Sequence, residues 1–208
     1  MTGKKKIKNI VFDMGFVLID FRWRGYLKDL GFSKEKIDFF GENVVNSTYW
    51  HQLDMGLIKQ EDARRHLLEE LPEEYKDDIN LFWDRVNEIA IEYPYSYELV
   101  KGLKDAGYNV YLLSNYPEEM GEVHWASCSF LPLIDGYIMS SKVNLCKPDP
   151  AIYKALRDKF ALDFSESIFI DDREDNCEAS LALGMEAICF KGYEELIRLF
   201  KERGVVTE

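Results

Sequence analysis

The chain has 208 residues, of which 47% are hydrophobic and 14% aromatic, and its formal net charge is −12. This length and composition suit one globular domain, with or without a small inserted module, and exclude a disordered chain. An acidic protein repels the phosphates of nucleic acids and anionic lipids, so we expect neither nucleic acid nor a membrane surface as a partner.

The cysteines are scattered along the sequence with no CxxC pair, which favours reduced thiols over disulfides or zinc. They are Cys128, Cys146, Cys177 and Cys189. The first ten residues, MTGKKKIKNI, lack the apolar stretch of a signal peptide, and no apolar run is long enough to span a membrane. The sequence therefore predicts a cytoplasmic protein and leaves open whether it is a monomer or a dimer.

The first predicted element lies in residues 7–18, IKNIVFDMGFVL. It is an apolar, β-branched run that ends on one carboxylate, Asp13, and Gly15 then allows a sharp turn. This composition is typical of a short buried strand, and a parallel sheet places its chemistry where such strands end.

The next stretch, up to about residue 92, is predicted to be helical and to contain no strand. Ser33 is expected to begin a helix, residues 60–71 form a second helix that Pro72 ends, and residues 73–91 form a third.

Beyond residue 93 the pattern changes to alternating helices and apolar strands. The predicted strands are residues 108–113, 136–140, 167–170 and 186–190, and the predicted helices are 97–106, 150–160, 177–183 and 192–203. This alternation predicts an α/β fold with a Rossmann-like parallel sheet covered on both faces. The core would comprise residues 1–20 and 93–208, with an α-helical cap inserted as residues 21–92.

Four polar groups follow predicted strands or the loops after them, and in an open α/β sheet these positions converge on one crevice. They are Asp13, Ser114–Asn115, Lys147 and Asp171–Asp172. Each of these groups, taken alone, has a purely structural interpretation. Asp171–Asp172 could cap a helix, and Lys147 could be an ordinary surface lysine. Together, carboxylate oxygens suit Mg²⁺, and the lysine and serine suit phosphate oxygens, which points to phosphoryl transfer with a carboxylate nucleophile.

Four sequence motifs, FDMGFVL, LLSN, CKPDPAIY and IFIDDREDN, occur in this order along the chain. Together they resemble the haloacid dehalogenase superfamily, with a small helical (C1-type) cap inserted after the first motif. The Asp-x-Gly first motif, the cap loop YWHQLDMGLIKQEDA and the DDxxDN fourth motif are similar to those of the α-D-glucose-1-phosphate phosphatase branch.

The resemblance implies a nucleophile and a metal site. Asp13 would attack phosphorus and become an aspartyl phosphate. Mg²⁺ would be bound by Asp13, the Gly15 carbonyl and Asp172, with Asp171 ligating directly or through water.

The resemblance also implies a phosphate site. Ser114 and the Asn115 amide would bind phosphate oxygens, and Lys147 would neutralise charge on the nucleophile and the phosphoryl group. Asn176 would support the fourth motif without touching the substrate.

One departure from the family pattern concerns the proton donor. Most phosphatases of the family have a second Asp two residues after the nucleophile, whereas this chain has Gly15. General acid catalysis is typically worth ~10²–10⁴-fold. Either the substrate has a leaving oxygen that needs little protonation, such as an anomeric hydroxyl or an acyl group, or a cap residue supplies the proton, with His51 the first candidate. A second departure is Phe16, which would narrow the pocket or brace the cap.

The sequence thus predicts a Mg²⁺-dependent phosphatase that acts through an aspartyl phosphate on a small phosphorylated metabolite, such as a hexose 1-phosphate. One alternative is a 2-haloacid dehalogenase, which uses the same aspartate on carbon without a metal and also lacks the second Asp. The other is a binding protein that keeps the fold without turnover.

Overall fold

The computed structural model describes residues 6–207 of the chain. Residues 1–5 and 208, which include the predicted ends of the core and part of the lysine-rich beginning, lie outside the described residues. The described part contains these strands: β1 (Asn9–Phe12), β2 (Ile19–Phe21), β3 (Ala90–Glu92), β4 (Asn109–Ser114), β5 (Gly136–Met139), β6 (Ser167–Asp171) and β7 (Glu186–Cys189).

The α-helices are α1 (Trp23–Asp29), α2 (Lys34–Phe40), α3 (Thr48–Asp54), α4 (Gln60–Glu70), α5 (Lys76–Asp84), α6 (Ser96–Asp105), α7 (Glu118–His124), α8 (Ser140–Val143), α9 (Pro150–Phe160), α10 (Glu174–Ala182) and α11 (Tyr193–Glu202). In residues 6–207, none of these helices combines the length and the apolar character that crossing a membrane requires.

Five strands form a parallel sheet in the order β5-β4-β1-β6-β7. Successive side chains on a strand point to opposite faces, and the three central strands follow this rule. Ile10 and Phe12 of β1 belong to one apolar core, whereas Val11 belongs to the other. Helices α6 and α11 cover the first face, and α9 covers the second. The predicted α/β fold with a parallel sheet and flanking helices is therefore confirmed.

The strand order reverses at β1. The chain runs from β1 outward through β4 to β5 and then returns to pair β6 on the other side of β1. Ligand crevices of open α/β sheets lie outside the carboxyl ends of the strands at such a reversal. The topology therefore directs attention to the residues that follow β1, β4 and β6.

The prediction that residues up to 92 contain no strand was wrong. β2 and β3 pair antiparallel, with Ile19 opposite Glu92 and Phe21 opposite Ala90. A strand of three residues is too short to show the alternating apolar and polar pattern of a β-strand. The two strands also pair only when the helices between them fold and bring the two ends of the segment together. The pairing places the two ends of that helical segment, residues 22–89, side by side.

Two further predictions in the helical segment were inaccurate. The helix expected over residues 73–91 is α5 flanked by two 3₁₀ turns, because Arg85 leaves helical geometry with φ −120° and ψ 14°. Residues 48–54, which we treated as a loop, form α3, where the Ser47 side chain accepts a hydrogen bond from the Trp50 amide at 3.1 Å. The helix begun by Ser33 is confirmed, and the helix predicted over residues 60–71 is present as Gln60–Glu70.

Candidate active site

Asp13 follows β1 at the point where the strand order reverses. Its amide donates to the Ile170 carbonyl at 2.8 Å, so the backbone of β6 holds it in place. Its carboxylate oxygen Oδ1 accepts hydrogen bonds from the Met14 amide at 2.7 Å and the Ser114 hydroxyl at 2.6 Å. Lys147 Nζ lies 2.9 Å from the same oxygen. Within residues 6–207, the other oxygen, Oδ2, accepts no hydrogen bond.

Lys147 lies between two carboxylates. Its Nζ is 2.9 Å from Asp13 Oδ1 and 2.6 Å from Asp171 Oδ2, and its side chain is only 1% exposed. Asn115 fixes the loop that carries this lysine, because its side chain donates to the Lys147 carbonyl at 3.0 Å and accepts from the Lys147 amide at 2.8 Å. Since the Asn115 side chain is engaged in this way, the expected phosphate contact falls to its backbone amide.

Asp171 is the last residue of β6 and is fully buried. Besides Lys147, it accepts hydrogen bonds from the Arg173 amide at 2.9 Å and from the Asn176 side-chain amide at 2.9 and 3.0 Å. Asn176 thus holds Asp171 directly, and both oxygens of Asp171 already have donors. Asp172, the next residue, is half-buried and lines the cavity.

The three carboxylates suit a metal ion. One oxygen each from Asp13, Asp171 and Asp172 lie within 4.8 Å of one another. Three carboxylates against the single ammonium of Lys147 leave two negative charges, which matches a divalent cation. Oxygen ligands of this kind are those that Mg²⁺ prefers.

Burial and neighbouring charges shift the pKa values of Asp13, Lys147 and Asp172. Burial raises the pKa of the Asp13 carboxyl to about 6, although Lys147 opposes the rise. Burial alone would lower the pKa of Lys147, but Asp13 and Asp171 outweigh it and raise that pKa. Burial and then the neighbouring Asp171 raise the pKa of Asp172. The lysine is therefore a permanent cation, and the carboxylates are crowded groups that gain from a bound cation.

A cavity of about 310 Å³ lies over these strand ends. Its floor comprises Asp13, Gly15, Ser114, Asn115, Lys147, Asp172, Arg173 and Asn176. Its walls are largely aromatic or apolar and come from Phe16, Phe21, Trp23, Val45, Trp50, Tyr116, Pro117 and Met120. Two polar residues of the helical segment, Asn46 and Asp54, also line it. Its volume lies at the small end of the range typical of small-molecule sites.

Phe16 joins the floor of the cavity to its wall. Its backbone adopts φ 58°, which is uncommon for a bulky residue. Its ring packs edge-on against Phe21 with centroids 6.0 Å apart, and Phe21 in turn packs against Trp50 at 5.7 Å. Phe16 thus connects the loop after Asp13 to α3, and the residue remains 41% exposed.

The structure brings together all the predicted site residues except His51, which is exposed and does not line the cavity. Instead α3 presents Trp50 and Asp54, which are four residues apart and therefore share one helical face. We missed Asp54 because we took this segment for a loop. A helix that begins at the N-cap Ser47 places residues 50 and 54 on one face, but the sequence does not show that this face lies toward the cavity.

Comparisons with known proteins agree with this geometry. The model of one protein family, haloacid dehalogenase-like hydrolase, matches residues 7–184. The sesquiterpene phosphatase astK of Aspergillus oryzae is 27% identical over 188 residues, which cover 86% of this chain and 87% of that protein.

Solved structures of similar fold include a HAD family enzyme from Bacteroides thetaiotaomicron in complex with magnesium and inorganic phosphate. It is 27% identical, with a TM-score of 0.67, and the match covers 93% of this chain and 99% of that one. The L-2-haloacid dehalogenase of Xanthobacter autotrophicus, 17% identical with a TM-score of 0.65 over 96% of this chain and 84% of that one, shares the fold.

Proposed function

The chain belongs to the haloacid dehalogenase-like hydrolase family, and from this premise we propose that it is a Mg²⁺-dependent phosphatase acting through an aspartyl phosphate. Its substrate would be a small phosphorylated metabolite. Three features support phosphoryl chemistry: the paired Asp171 and Asp172, the phosphatase among the relatives, and the magnesium and phosphate bound by a similar enzyme.

The observation that carries the proposal is the unequal bonding of the two Asp13 oxygens. Oδ1 is held by Met14, Ser114 and Lys147, whereas within residues 6–207 no donor reaches Oδ2. Three donors fix the orientation of the carboxylate and withdraw charge from one oxygen. The other oxygen accepts no hydrogen bond from residues 6–207 and keeps its lone pairs, as a nucleophile requires.

The reaction begins when Oδ2 of Asp13 attacks phosphorus in line with the bond to the leaving oxygen. Lys147 and Ser114 lie beside Asp13, where a cation and a hydroxyl stabilise the charge on the phosphoryl oxygens. The resulting acyl phosphate on Asp13 is then hydrolysed by water, which restores the carboxylate and releases inorganic phosphate.

Asp13, Asp172 and the Gly15 carbonyl would hold Mg²⁺, with Asp171 reaching it through water because Lys147, Arg173 and Asn176 already occupy its oxygens. When bound, the ion supplies positive charge that lets a carboxylate approach a phosphate.

We retain a hexose 1-phosphate as the specific candidate substrate, on the strength of the resemblance to glucose 1-phosphate phosphatases. A cavity of about 310 Å³ is large enough for a small ligand, and aromatic rings such as Trp23 and Trp50 offer flat apolar surfaces against which a sugar ring packs. We likewise propose that residues 21–92 act as a C1-type cap on a core of residues 1–20 and 93–208. The pairing of β2 with β3 at the two ends of the helical segment supports that division.

The remaining proposals rest on the sequence. The acidic charge argues against nucleic acid and membrane surfaces as partners, and the scattered cysteines argue for a cytoplasmic location.

A phosphate-release assay across sugar 1-phosphates, sugar 6-phosphates and other phosphomonoesters tests the function. Release should require Mg²⁺, and EDTA should reduce it by roughly 10³-fold or more, because a metal contributes several kcal/mol to such transition states. No release from any substrate would instead favour a non-catalytic binding protein. Equal kcat/KM on 1- and 6-phosphates would remove the argument for an anomeric leaving group.

The second candidate function is 2-haloacid dehalogenation. Gly15 favours it, because those enzymes also lack the second Asp, and one such enzyme shares the fold. Asp172 opposes it, because displacement of halide from carbon needs no metal. Full turnover of a 2-haloacid in EDTA would establish this candidate in place of the phosphatase.

A further inference from the structure

The cavity contains a carboxyl group that the metal cluster does not use. Asp54, the last residue of α3, is half-buried and lines the same cavity as Asp13. It is not among the three carboxylates that gather within 4.8 Å of one another. Within residues 6–207, its side chain makes no hydrogen bond and no ion pair, unlike those of Asp13 and Asp171. A carboxyl without a partner in a reaction cavity is free to interact with a ligand.

The position of Asp54 is fixed by contacts to α8, the short helix that directly follows β5. The Ser140 hydroxyl, at the first residue of α8, donates to the Asp54 carbonyl, and the Asn144 side chain, just after α8, donates to the Met55 carbonyl at 2.8 Å. At Gly56 a Cβ atom would lie 2.2 Å from the Ser141 carbonyl oxygen, so the backbones meet there as closely as a glycine allows. Although Asp54 belongs to the helical segment, it is therefore anchored on α8, which continues directly from strand β5 of the sheet that carries Asp13.

The electrostatic surroundings favour the protonated form of Asp54. Burial raises the pKa of its carboxyl to about 8, the charge of Asp13 adds to the rise, and Lys147 opposes it. The other titratable groups that interact with it, Tyr116 and Cys146, stay neutral near pH 8 because burial raises the pKa of each. Within the described residues, Lys147 is the one cation that favours the carboxylate form.

The position at which related phosphatases hold their proton donor is vacant in this chain. Gly15 has no side chain, and a Cβ atom built there would meet nothing within 4 Å. The space beside Asp13 that a second Asp would fill is therefore open to a group that reaches in from the cavity wall.

We propose that Asp54 is the general acid and base of this site and replaces the carboxyl that Gly15 lacks; this rests on the proposed phosphatase function. As Asp13 Oδ2 forms its bond to phosphorus, the bond from phosphorus to the leaving oxygen breaks and its electron pair stays on that oxygen. The Asp54 proton passes to the same oxygen, so that the alcohol leaves neutral and Asp54 becomes a carboxylate.

The second half of the reaction restores both residues. The Asp54 carboxylate takes a proton from the water that attacks phosphorus, the acyl phosphate bond breaks, and its electron pair returns to Asp13. The sum is one phosphomonoester and one water giving one alcohol and one inorganic phosphate. This assignment replaces His51, which is exposed and outside the cavity.

The test compares two substrates of similar shape that differ in their need for a proton. p-Nitrophenyl phosphate releases a stable anion, whereas phenyl phosphate releases a much more basic one. With Mg²⁺ present, Asp54→Asn should lower kcat/KM for phenyl phosphate by about 10²-fold or more, and for p-nitrophenyl phosphate much less. The alkaline fall of the wild-type phenyl phosphate profile, near pH 8, should be absent in the variant.

Asp77→Asn is the matched control, because Asp77 is an exposed residue of α5 and the change in charge and size is the same. It should leave both substrates unaffected. Asp54→Ser repeats the measurement with a different neutral side chain, should Asp54→Asn fold poorly.

An equal loss on both substrates, or no loss, would overturn the role of Asp54 while leaving the phosphatase in place. A leaving-group-dependent loss in His51→Gln in place of Asp54→Asn would overturn it too. If the wild type hydrolyses neither these substrates nor the wider panel of phosphomonoesters, the proposed function itself fails and Asp54 loses its role with it.

Discussion

The sheet side and the helical side of the cavity differ in how their charged groups are paired. At the strand ends, Lys147 bridges Asp13 and Asp171, and hydrogen bonds and ion pairs hold all three side chains in position. On the helical side, the walls are mostly aromatic, and the one carboxyl among the wall residues, Asp54, has no partner within residues 6–207. The sheet therefore carries a pre-arranged ionic site, whereas the helices form an apolar wall in which the single carboxyl of Asp54 stays protonated.

This contrast has an energetic consequence. A buried lysine that bridges two carboxylates leaves costly unpaired charge when it is removed. A carboxyl whose pKa is raised by burial destabilises the folded state when it ionises. Substitutions in the two halves should therefore change stability in opposite directions.

The largest expected effect comes from the nucleophile. Asp13→Asn keeps the size of the side chain but removes the attacking oxygen's charge, so kcat/KM for phosphate release should fall by ~10⁴-fold or more, as it does when other nucleophiles are replaced. The control is Asp105→Asn, an exposed residue of α6 that pairs with Lys101. Substantial turnover by a folded Asp13→Asn protein would show that the sheet side does not carry the chemistry.

The next effect concerns the buried ion cluster. Lys147→Met leaves Asp13 and Asp171 without their cation and should lower the free energy of unfolding by about 3–5 kcal/mol at neutral pH. Denaturant unfolding measured in EDTA would show this loss.

Lys101→Met is the matched control, because Lys101 pairs with Asp105 at the surface, where such pairs contribute about 0–1 kcal/mol. Similar losses for the two variants would mean that burial of the cluster has no special energetic weight.

The smallest effect has the opposite sign and tests the helical side. The folded pKa of Asp54, about 8, lies above its unfolded value of 3.8, so the folded state binds more protons between these two pH values. Wild-type stability should therefore fall as the pH rises through this window, and Asp54→Asn should escape the loss.

In EDTA, the variant should be more stable than the wild type by roughly 1–3 kcal/mol above pH 8, with the difference vanishing below about pH 4. Thermal unfolding across pH measures it. A variant that is less stable than the wild type at pH 8 would contradict an unpartnered, protonated Asp54.

Much of the sheet could be predicted because buried parallel strands are continuous apolar runs between turn residues. β4, β5, β6 and β7 fall within one or two residues of the predicted bounds, and α9 matches its prediction from Pro150 to Phe160. The short strands β2 and β3 could not be predicted, because each is stabilised by the other across about seventy residues of intervening chain.

The site likewise contains residues that could be predicted from the sequence and one that could not. Asp13, Lys147 and Asp171 could be named from the sequence because each follows a strand or a strand's loop, and parallel strands bring such positions together. Asp54 could not, because α3 reaches the cavity only through its contacts with Ser140, Ser141 and Asn144.

The sequence alone determined the parallel sheet and the polar groups at its edge, since a strand's composition and its end are local properties. The tertiary structure decided which side chain of the helical segment faces Asp13. That choice depends on the rotation of α3 against the sheet, and a rotation of one residue turns a helix by about 100°.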